Sequence, residues 1–516
     1  MLGAAAQPAG SDAYTPGVLH GSRVTSRDAM IVAAFLVALG AAAELARPFR
    51  GSSIAFDSQV AVLHWQRITG GQVLEMFVTT TSKPVLTVAY GLLHAISGDW
   101  RAVAWAAILV FALGVAAASL LAWRVAGPAA AGFAAVALAG AGSLAFDVGH
   151  ALAMPWALAG WAAAGLAVTS DRPRHALAGV ALLVAALARI ETLVLVAAIG
   201  LALAAVTAMG RSTPRRAWIT VVVPLAALPV MCIHDWLLAR DPFLWLAVAA
   251  RYSVITDLAV LSPLEVISLL VSRYAALGGL ALLAALGVAS LIRRRDHAAF
   301  GPIVAGLLGL GPAMAAFLVV LALRGTFVSD RYAAPIDVAV VLAAAIGIAA
   351  IRLAPGEAPS SQRLPARWRP LETAVIGAIA AGVLVWPTGL LAPALRSAVA
   401  DNLASAADLG RVVPALDEVL ARRQAVEGAP RLAVPGTLGP RIAVDLAMPL
   451  TAIANTDAID EDTLTPGLVI FHHRRAERRP SLHSFLEIDA PAVIRGIRLE
   501  PIAADPERGW WIVVSR

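Results

Sequence analysis

Residues 54–98 read IAFDSQVAVLHWQRITGGQVLEMFVTTTSKPVLTVAYGLLHAISG. They form the longest polar interruption in an otherwise apolar N-terminal half. The stretch follows the first apolar run and sets a carboxylate, Asp57, close to that run's end. It closes with Lys83-Pro84 and a half-length apolar segment that stops at Ser97-Gly98-Asp99. Lys83 is the only lysine of the chain, whose other basic residues are arginines and histidines. A polar loop between hydrophobic runs, carrying both signs of charge, reads as chemistry at a membrane face. The rest of the chain then builds and holds that site.

Composition sets the class. The chain has 516 residues, 59% hydrophobic and 14% charged, with a mean hydropathy of +0.78. Soluble domains carry about 25% charge. Apolar runs of about 18 residues or more recur, and each can cross a hydrocarbon core of about 30 Å. In lipid every backbone polar group needs an internal partner, so these runs are helices. The expected fold class is an α-helical polytopic membrane protein with roughly eleven transmembrane helices and a small C-terminal extracytoplasmic α/β domain. The net charge of +6 does not point to nucleic acid, because the arginines sit in short loops where they set orientation. Cys232 lies inside an apolar run and reads as a core residue.

Residues 1–28 are rich in small residues and read as a disordered cytoplasmic tail without the apolar core of a cleavable signal. The spans are expected at Ala29–Leu45, Ala102–Trp123, Pro128–Phe146, Leu152–Val168, Ala176–Ala188, Thr192–Ala208, Trp218–Leu238, Tyr274–Ile292, Ile303–Leu323, Ala334–Ile351 and Leu371–Leu391. With the N-terminus inside, the basic clusters at Arg124, Arg172–Arg174, Arg211–Arg216, Arg293–Arg295 and Arg352–Arg369 all face the cytoplasm. Arg47 and Arg50 go against that rule and are outvoted. Pro84–Ile96 is too short to span and is expected to lie in the outer interface. Residues 29–392 thus form the membrane domain, with the first outer loop at 48–100, and residues 395–516 form the outer domain. There, Asp401–Arg423 reads as a surface helix. RLAVPG, LTAIAN, GLVIFHH, VIRGIRLEPI and WWIVVSR each read as one strand, with a helix between the first two.

Acid and arginine converge on the outer face. Asp57 suits a general base, or a ligand to a divalent cation, that activates an acceptor hydroxyl; a solvated loop acid is the alternative. Asp147 and His150 share a helix face at i, i+3 and suit a metal or an acceptor, against a simple helix cap by Asp147. Arg189-Ile190-Glu191 makes a tight outer hairpin that reads as a paired site or as a structural ion pair. Arg331-Tyr332 precedes a late span at headgroup depth, where arginine suits a lipid-linked phosphate or ordinary phospholipid headgroups. Arg251 and Arg273 belong to the same face. His472-His473-Arg474-Arg475 reads as a solvated strand end. No phosphate-binding glycine loop, GxSxG or HExxH motif occurs.

Taken in order, these pieces resemble the bacterial GT-C class of polytopic glycosyltransferases, the superfamily of aminoarabinose transferases and protein O-mannosyltransferases. The resemblance rests on Asp57 in FDSQ, on Lys83-Pro84 through Gly98, on Arg189-Ile190-Glu191 and on Arg331-Tyr332, over roughly residues 30–392. Two departures stand out. Many relatives carry adjacent acids where this chain has Asp57-Ser58, and Arg-Pro-Glu where it has Ile190. The resemblance implies inverting transfer of a hexosyl or pentosyl group from a polyprenyl-phosphate-linked donor to an envelope glycan, lipid or protein. Asp57 would deprotonate or orient the acceptor. Arg331, Tyr332, Lys83 and Arg189 would hold the donor phosphate, with Asp147, Glu191 and His150 on the acceptor side or as a second acid. From the residues themselves no metal is certain; a divalent cation, Mg or Mn, if one is used, would draw on Asp57 and Asp147. The site would face outward from the bacterial inner membrane. A lipid or solute transporter and a non-catalytic envelope-assembly scaffold remain open as other classes.

Overall fold

The computed structural model describes residues 26–46, 56–74, 83–208 apart from 171, 215–246, 261–275, 278–293, 297–325, 328, 332, 334–351, 369–385, 409, 411–421, 431–435, 438–449, 452–456, 464–473, 486 and 490–516. Helix α1 (Ser26–Ala46) opens the described chain. Two short helices follow, α2 (Phe56–Thr69) and α3 (Pro84–Ser97). Pro84 sits at the start of α3, where its missing N–H costs nothing. Gly98 ends α3 in the left-handed region (φ 64°) and donates its N–H to the His94 carbonyl. Asp99 then caps α4 (Trp100–Ala126) by accepting from the Arg101 N–H at 2.8 Å.

The bundle continues through α5 (Pro128–Ala139), α6 (Gly142–Gly149), α7 (Met154–Val168), α8 (His175–Ala188) and α9 (Thr192–Ala208). A 3₁₀ turn (Arg215–Trp218) leads into α10 (Ile219–Leu225) and α11 (Ala227–Ala239). Then come α12 (Pro263–Ala275), α13 (Gly278–Arg293), α14 (His297–Leu323), α15 (Ala334–Ala350) and α16 (Arg369–Val385). Trp100–Ala126 and Arg215–Ala239 are long and apolar enough to cross a bilayer alone. Close crossings lock the bundle. A Cβ on Gly132 would run into the Ala374 carbonyl, and one on Gly377 into that of Ala129, so α5 and α16 touch backbone to backbone. Gly287 and Gly347 do the same for α13 and α15. Small residues at helix crossings are the usual means of association in lipid.

Two spans depart from expectation: the run expected over Trp218–Leu238 is divided at Ala226 into α10 and α11, just after Pro224. The run expected over Pro128–Phe146 stops at Ala139 and restarts as α6. Gly140 and Gly142 flank the break, and glycine is a poor helix former. Asp147 therefore belongs to α6, a separate short helix.

The C-terminal part is a six-stranded sheet in the order β2-β1-β3-β6-β5-β4. Strand β1 (Arg431–Val434) runs parallel to β2 (Ile453–Asn455) and β3 (Leu468–His473), with helix α17 (Gly439–Asp445) in the β1–β2 crossover. β6 (Trp510–Ser515) is antiparallel to β3 and to β5 (Ile497–Asp505), and β4 (Ala492–Ile494) closes the edge. The segment expected as one strand, VIRGIRLEPI, is a hairpin. Arg495 and Gly496 both have positive φ (49° and 84°), the turn that suits the twist of two antiparallel strands. His472 and His473 are fully buried, against the expected solvated strand end. The reason is position: β3 is an interior strand, paired on both sides and covered on both faces.

The period of two splits the sheet into two cores. Ala433, Ile470, Val513 and Trp511 pack on the side away from α2 and α3. Leu432, Val469, Phe471, Ile512 and Val514 join a cluster that also contains Val60, Leu63, Leu86, Tyr90 and Trp100. Residues 411–421 are helical, and Val412, Leu416 and Leu420 put one apolar face into that same cluster. The sheet and the outer helices of the bundle thus share one core.

Candidate active site

The site is built where α2, α3 and α11 meet. Asp57 lies in the first turn of α2. Lys83 occupies the cap position of α3, and Pro84 behind it fixes the direction in which that helix starts. The Lys83 ammonium (Nζ) donates to Asp57 Oδ2 at 3.2 Å. The pair is neither dry nor fully solvated, with side chains 14% and 25% exposed.

Behind it lies a polar chain that the sequence reading did not anticipate. His64 is two helical turns on from Asp57 and therefore on the same face of α2. Its ring lies 5.6 Å from that of His234 on α11. His234 Nδ1 is 3.0 Å from Asp235 Oδ1, and its Nε2 is 3.2 Å from the Thr87 hydroxyl. Asp235 Oδ2 accepts from the Trp245 N–H at 2.7 Å, and the Thr87 N–H donates to the Lys83 carbonyl at 2.9 Å. Five residues, Trp245, Asp235, His234, Thr87 and Lys83, thus link α11 and the segment after it to the first turn of α3. Burial, then His234, then the Lys83 ammonium hold the His64 imidazole well below its ordinary pKa, so it is neutral at pH 7. Its Nε2 has no hydrogen-bond partner among the described residues.

A second charged cluster lies deeper. Arg189 NH1 is 3.4 Å from Asp147 Oδ2 and Arg189 Nε is 3.4 Å from Glu191 Oε1, so one guanidinium lies between two carboxylates. All three side chains are 9% exposed or less. Nearby, the buried Tyr90 hydroxyl accepts from Trp156 Nε1 at 3.1 Å. Its pKa is raised, first by burial and further by the negative Asp147.

Ser58 ties α2 to this region. Its hydroxyl donates to the Ala151 carbonyl at 2.7 Å. This gives a physical reading of the departure at Asp57-Ser58, because an ionised acid at 58 could not donate to that carbonyl. His150 is buried in the same turn.

The expected residues therefore fall into two groups, Asp57 with Lys83, and Arg189 with Asp147 and Glu191. Tyr332 packs against the apolar cluster of Val266, Met314 and Ile336. Arg331 and Arg251 lie outside the described residues, as does the side chain of Arg273. His64, Thr87, His234 and Asp235 were missed. One signal was available: His234-Asp235 puts two ionisable groups inside the run MCIHDWLLA, which is costly in a membrane protein unless they are used or paired.

The donor set does not by itself make a cation site. Among the described residues no group of three or more His, Cys, Asp or Glu converges. Asp57 faces an ammonium and Asp147 a guanidinium, so each carboxylate already has a cationic partner.

No protein-family model and no curated protein matches the chain by sequence. Solved structures do match in fold. ArnT from Cupriavidus metallidurans bound to undecaprenyl phosphate superposes with a TM-score of 0.50 at 15% identity, over 94% of this chain and 97% of that one. The apo oligosaccharyltransferase of Archaeoglobus fulgidus gives 0.54 at 15% identity, over 86% of this chain and 67% of the other. The complex of the latter with Zn and sulfate gives 0.50 at 14% identity, over 83% and 62%. These neighbours are GT-C glycosyltransferases, and the chain shares their helical fold and ends in a six-stranded sheet.

Proposed function

We propose that this GT-C-fold protein is a glycosyltransferase that takes a hexosyl or pentosyl group from a polyprenyl-phosphate carrier and passes it, with inversion, to an extracytoplasmic envelope glycan, lipid or protein. The observation that carries the reading is the partly buried Asp57–Lys83 pair beside a buried polar network. The ArnT structure of the same fold holds undecaprenyl phosphate, which supports a polyprenyl-phosphate donor here.

The chemistry follows from the pair. In the resting site the Lys83 ammonium faces the Asp57 carboxylate. A donor phosphate competes for Lys83 with charge-assisted hydrogen bonds. Asp57 is then released to take the proton of the acceptor hydroxyl. The hydroxyl oxygen attacks the sugar's anomeric carbon as the bond to the phosphate oxygen breaks. The phosphate leaves with one more negative charge, which Lys83 stabilises. Arg331 and Tyr332 complete the phosphate site in this reading. Arg189, anchored by Asp147 and Glu191, shapes the side on which the acceptor enters, near His150.

A divalent cation, Mg or Mn, would draw on Asp57 and on oxygens of the substrate phosphate. The Zn and sulfate bound to the oligosaccharyltransferase support testing for one. In the membrane the reading has roughly eleven spans in residues 29–392, a cytoplasmic tail at 1–28, and the unit at 395–516 outside the bacterial inner membrane.

The test is transfer by purified protein from a panel of polyprenyl-phosphate sugars to envelope glycans, with wild type and Asp57→Ala, with and without chelator. The reading expects transfer that Asp57→Ala abolishes while the variant still inserts and folds. Uptake or lipid flipping in vesicles without any transfer would overturn it.

A further inference from the structure

Asp57 sits on a helix that does not hold itself in place. α2 has 14 residues, and isolated helices shorter than about 12–15 residues are marginal in water. Its position is therefore set by what packs on it. On one side this is α3, closed over α2 through Leu86 and Tyr90. On the other side it is the C-terminal unit, some 380 residues away in sequence.

The second contact touches α2 at both ends. Near its start, Gln59 is buried two residues from Asp57, and its Oε1 accepts the backbone N–H of Arg441 on α17 at 3.2 Å. Near its end, Arg67 NH2 donates to the Met448 carbonyl at 3.1 Å, and NH1 donates to Gln72 Oε1 at 2.7 Å. Between them Val60 and Leu63 share a core with Leu438, Ile442 and Phe471.

α17 is itself anchored to the membrane bundle. The Arg441 guanidinium lies 5.5 Å from the centre of the Trp100 ring and 3.4 Å, through Nε, from Asp445 Oδ2. Asp445 Oδ1 accepts from Trp100 Nε1 at 2.7 Å. Trp100 is the first residue of α4, a helix long enough to span. A buried guanidinium is costly unless paired, and here burial lowers its pKa while Asp445 raises it. Such a group is suited to fixing one geometry.

We infer that the C-terminal unit positions Asp57. α17 holds α2 at Gln59, the segment after it holds α2 at Arg67 through Met448, and α17 is braced on the first residue of α4 by Arg441 and Asp445, which makes Gln59, Arg67 and Arg441 positioning residues. The inference rests on the reading of Asp57 as the base. It deepens that reading by making the catalytic unit span both halves of the chain. An acceptor-binding module would not need buried contacts on the helix that carries the acid.

The experiment compares wild type with Gln59→Leu, Arg67→Met, their double variant and Gln59→Glu, in lipid nanodiscs. Arg516→Ala is the control, since Arg516 pairs with Glu500 on the exposed part of the sheet. Two quantities are read: amide exchange across residues 56–69, and the kcat and KM of sugar transfer. The double variant should exchange at least tenfold faster within 56–69, with no change in 100–126 or in β3 and β6. Its kcat should fall about 10- to 100-fold, as expected for a displacement near 1 Å, with donor KM within about twofold. Gln59→Glu keeps the acceptor oxygen and should recover most of the rate. Unchanged exchange in 56–69 overturns the inference, and so does a loss confined to acceptor KM, which would make the unit a binding module. If wild type transfers no sugar from any donor, the glycosyltransferase reading fails. The exchange result then decides the clamp alone, with faster exchange supporting it and unchanged exchange overturning it.

Discussion

Two charged clusters lie near one another in this molecule, and they are built on opposite plans. Asp57 and Lys83 are matched one to one, come from different helices and stay partly open to solvent. Arg189 faces two acids, Asp147 and Glu191, and all three are buried. An open, matched pair can exchange partners with little desolvation cost. A buried, uneven one cannot, because removing its single guanidinium leaves two carboxylates stranded in a low dielectric. On the proposed function, chemistry falls to the first cluster and scaffolding to the second, although both begin as an acid near an expected span end in the sequence.

The sharpest way to break this division is at Arg189. Arg189→Met leaves two buried carboxylates facing each other and is expected to cost ~3–5 kcal/mol of stability. Thermal unfolding in detergent checks it. Arg189→Lys should recover only part, since a point charge cannot reach both acids as a planar fork does. A variant as stable as wild type would move Arg189 out of the scaffold and back among the phosphate ligands.

Lys83→Ala comes next. It should fold normally and lose ~10²-fold in kcat/KM, about 2.7 kcal/mol, the scale of one donor to a developing oxyanion. Lys83→Arg should retain a measurable part. Transfer kinetics over a donor series checks this, and an unchanged kcat/KM would remove Lys83 from the site.

The smallest effect concerns His64. Its folded pKa is depressed below the ordinary value of about 6.5. Below that pH the unfolded chain binds a proton that folded His64 refuses, so stability is at its plateau above 6.5 and falls as pH drops. The slope approaches ~1.4 kcal/mol per pH unit. His64→Asn should flatten the loss between pH 7.5 and 5.5. Identical melting profiles for the two proteins would show that His64 is not held neutral.

Much of this comparison was legible from hydropathy and spacing. Helices α7, α8, α9 and α15 start and stop within a few residues of the expected spans, because length and apolarity dominate in lipid. Lys83-Pro84 and Ser97-Gly98 bracket α3 as a start and a stop should. The Arg189-Ile190-Glu191 hairpin forms between α8 and α9. What stayed hidden depends on tertiary contact. The sequence cannot show that His64 meets His234 across 170 positions, or that α17 meets α2. The split of α5 from α6 at Gly140 was missed because hydropathy continues unbroken across it. His472 and His473 were misread because strand order, not composition, decides burial.

The most direct test of the central claim sets the two clusters side by side. Turnover of a polyprenyl-phosphate sugar would be measured for wild type, Asp57→Asn and Glu191→Gln in one nanodisc preparation, normalised to folded protein. The account predicts that Asp57→Asn loses at least ~10³-fold, within the range of a lost general base, while Glu191→Gln stays within about tenfold of wild type. A nearly active Asp57→Asn beside a dead but folded Glu191→Gln would contradict it and place the base in the buried cluster.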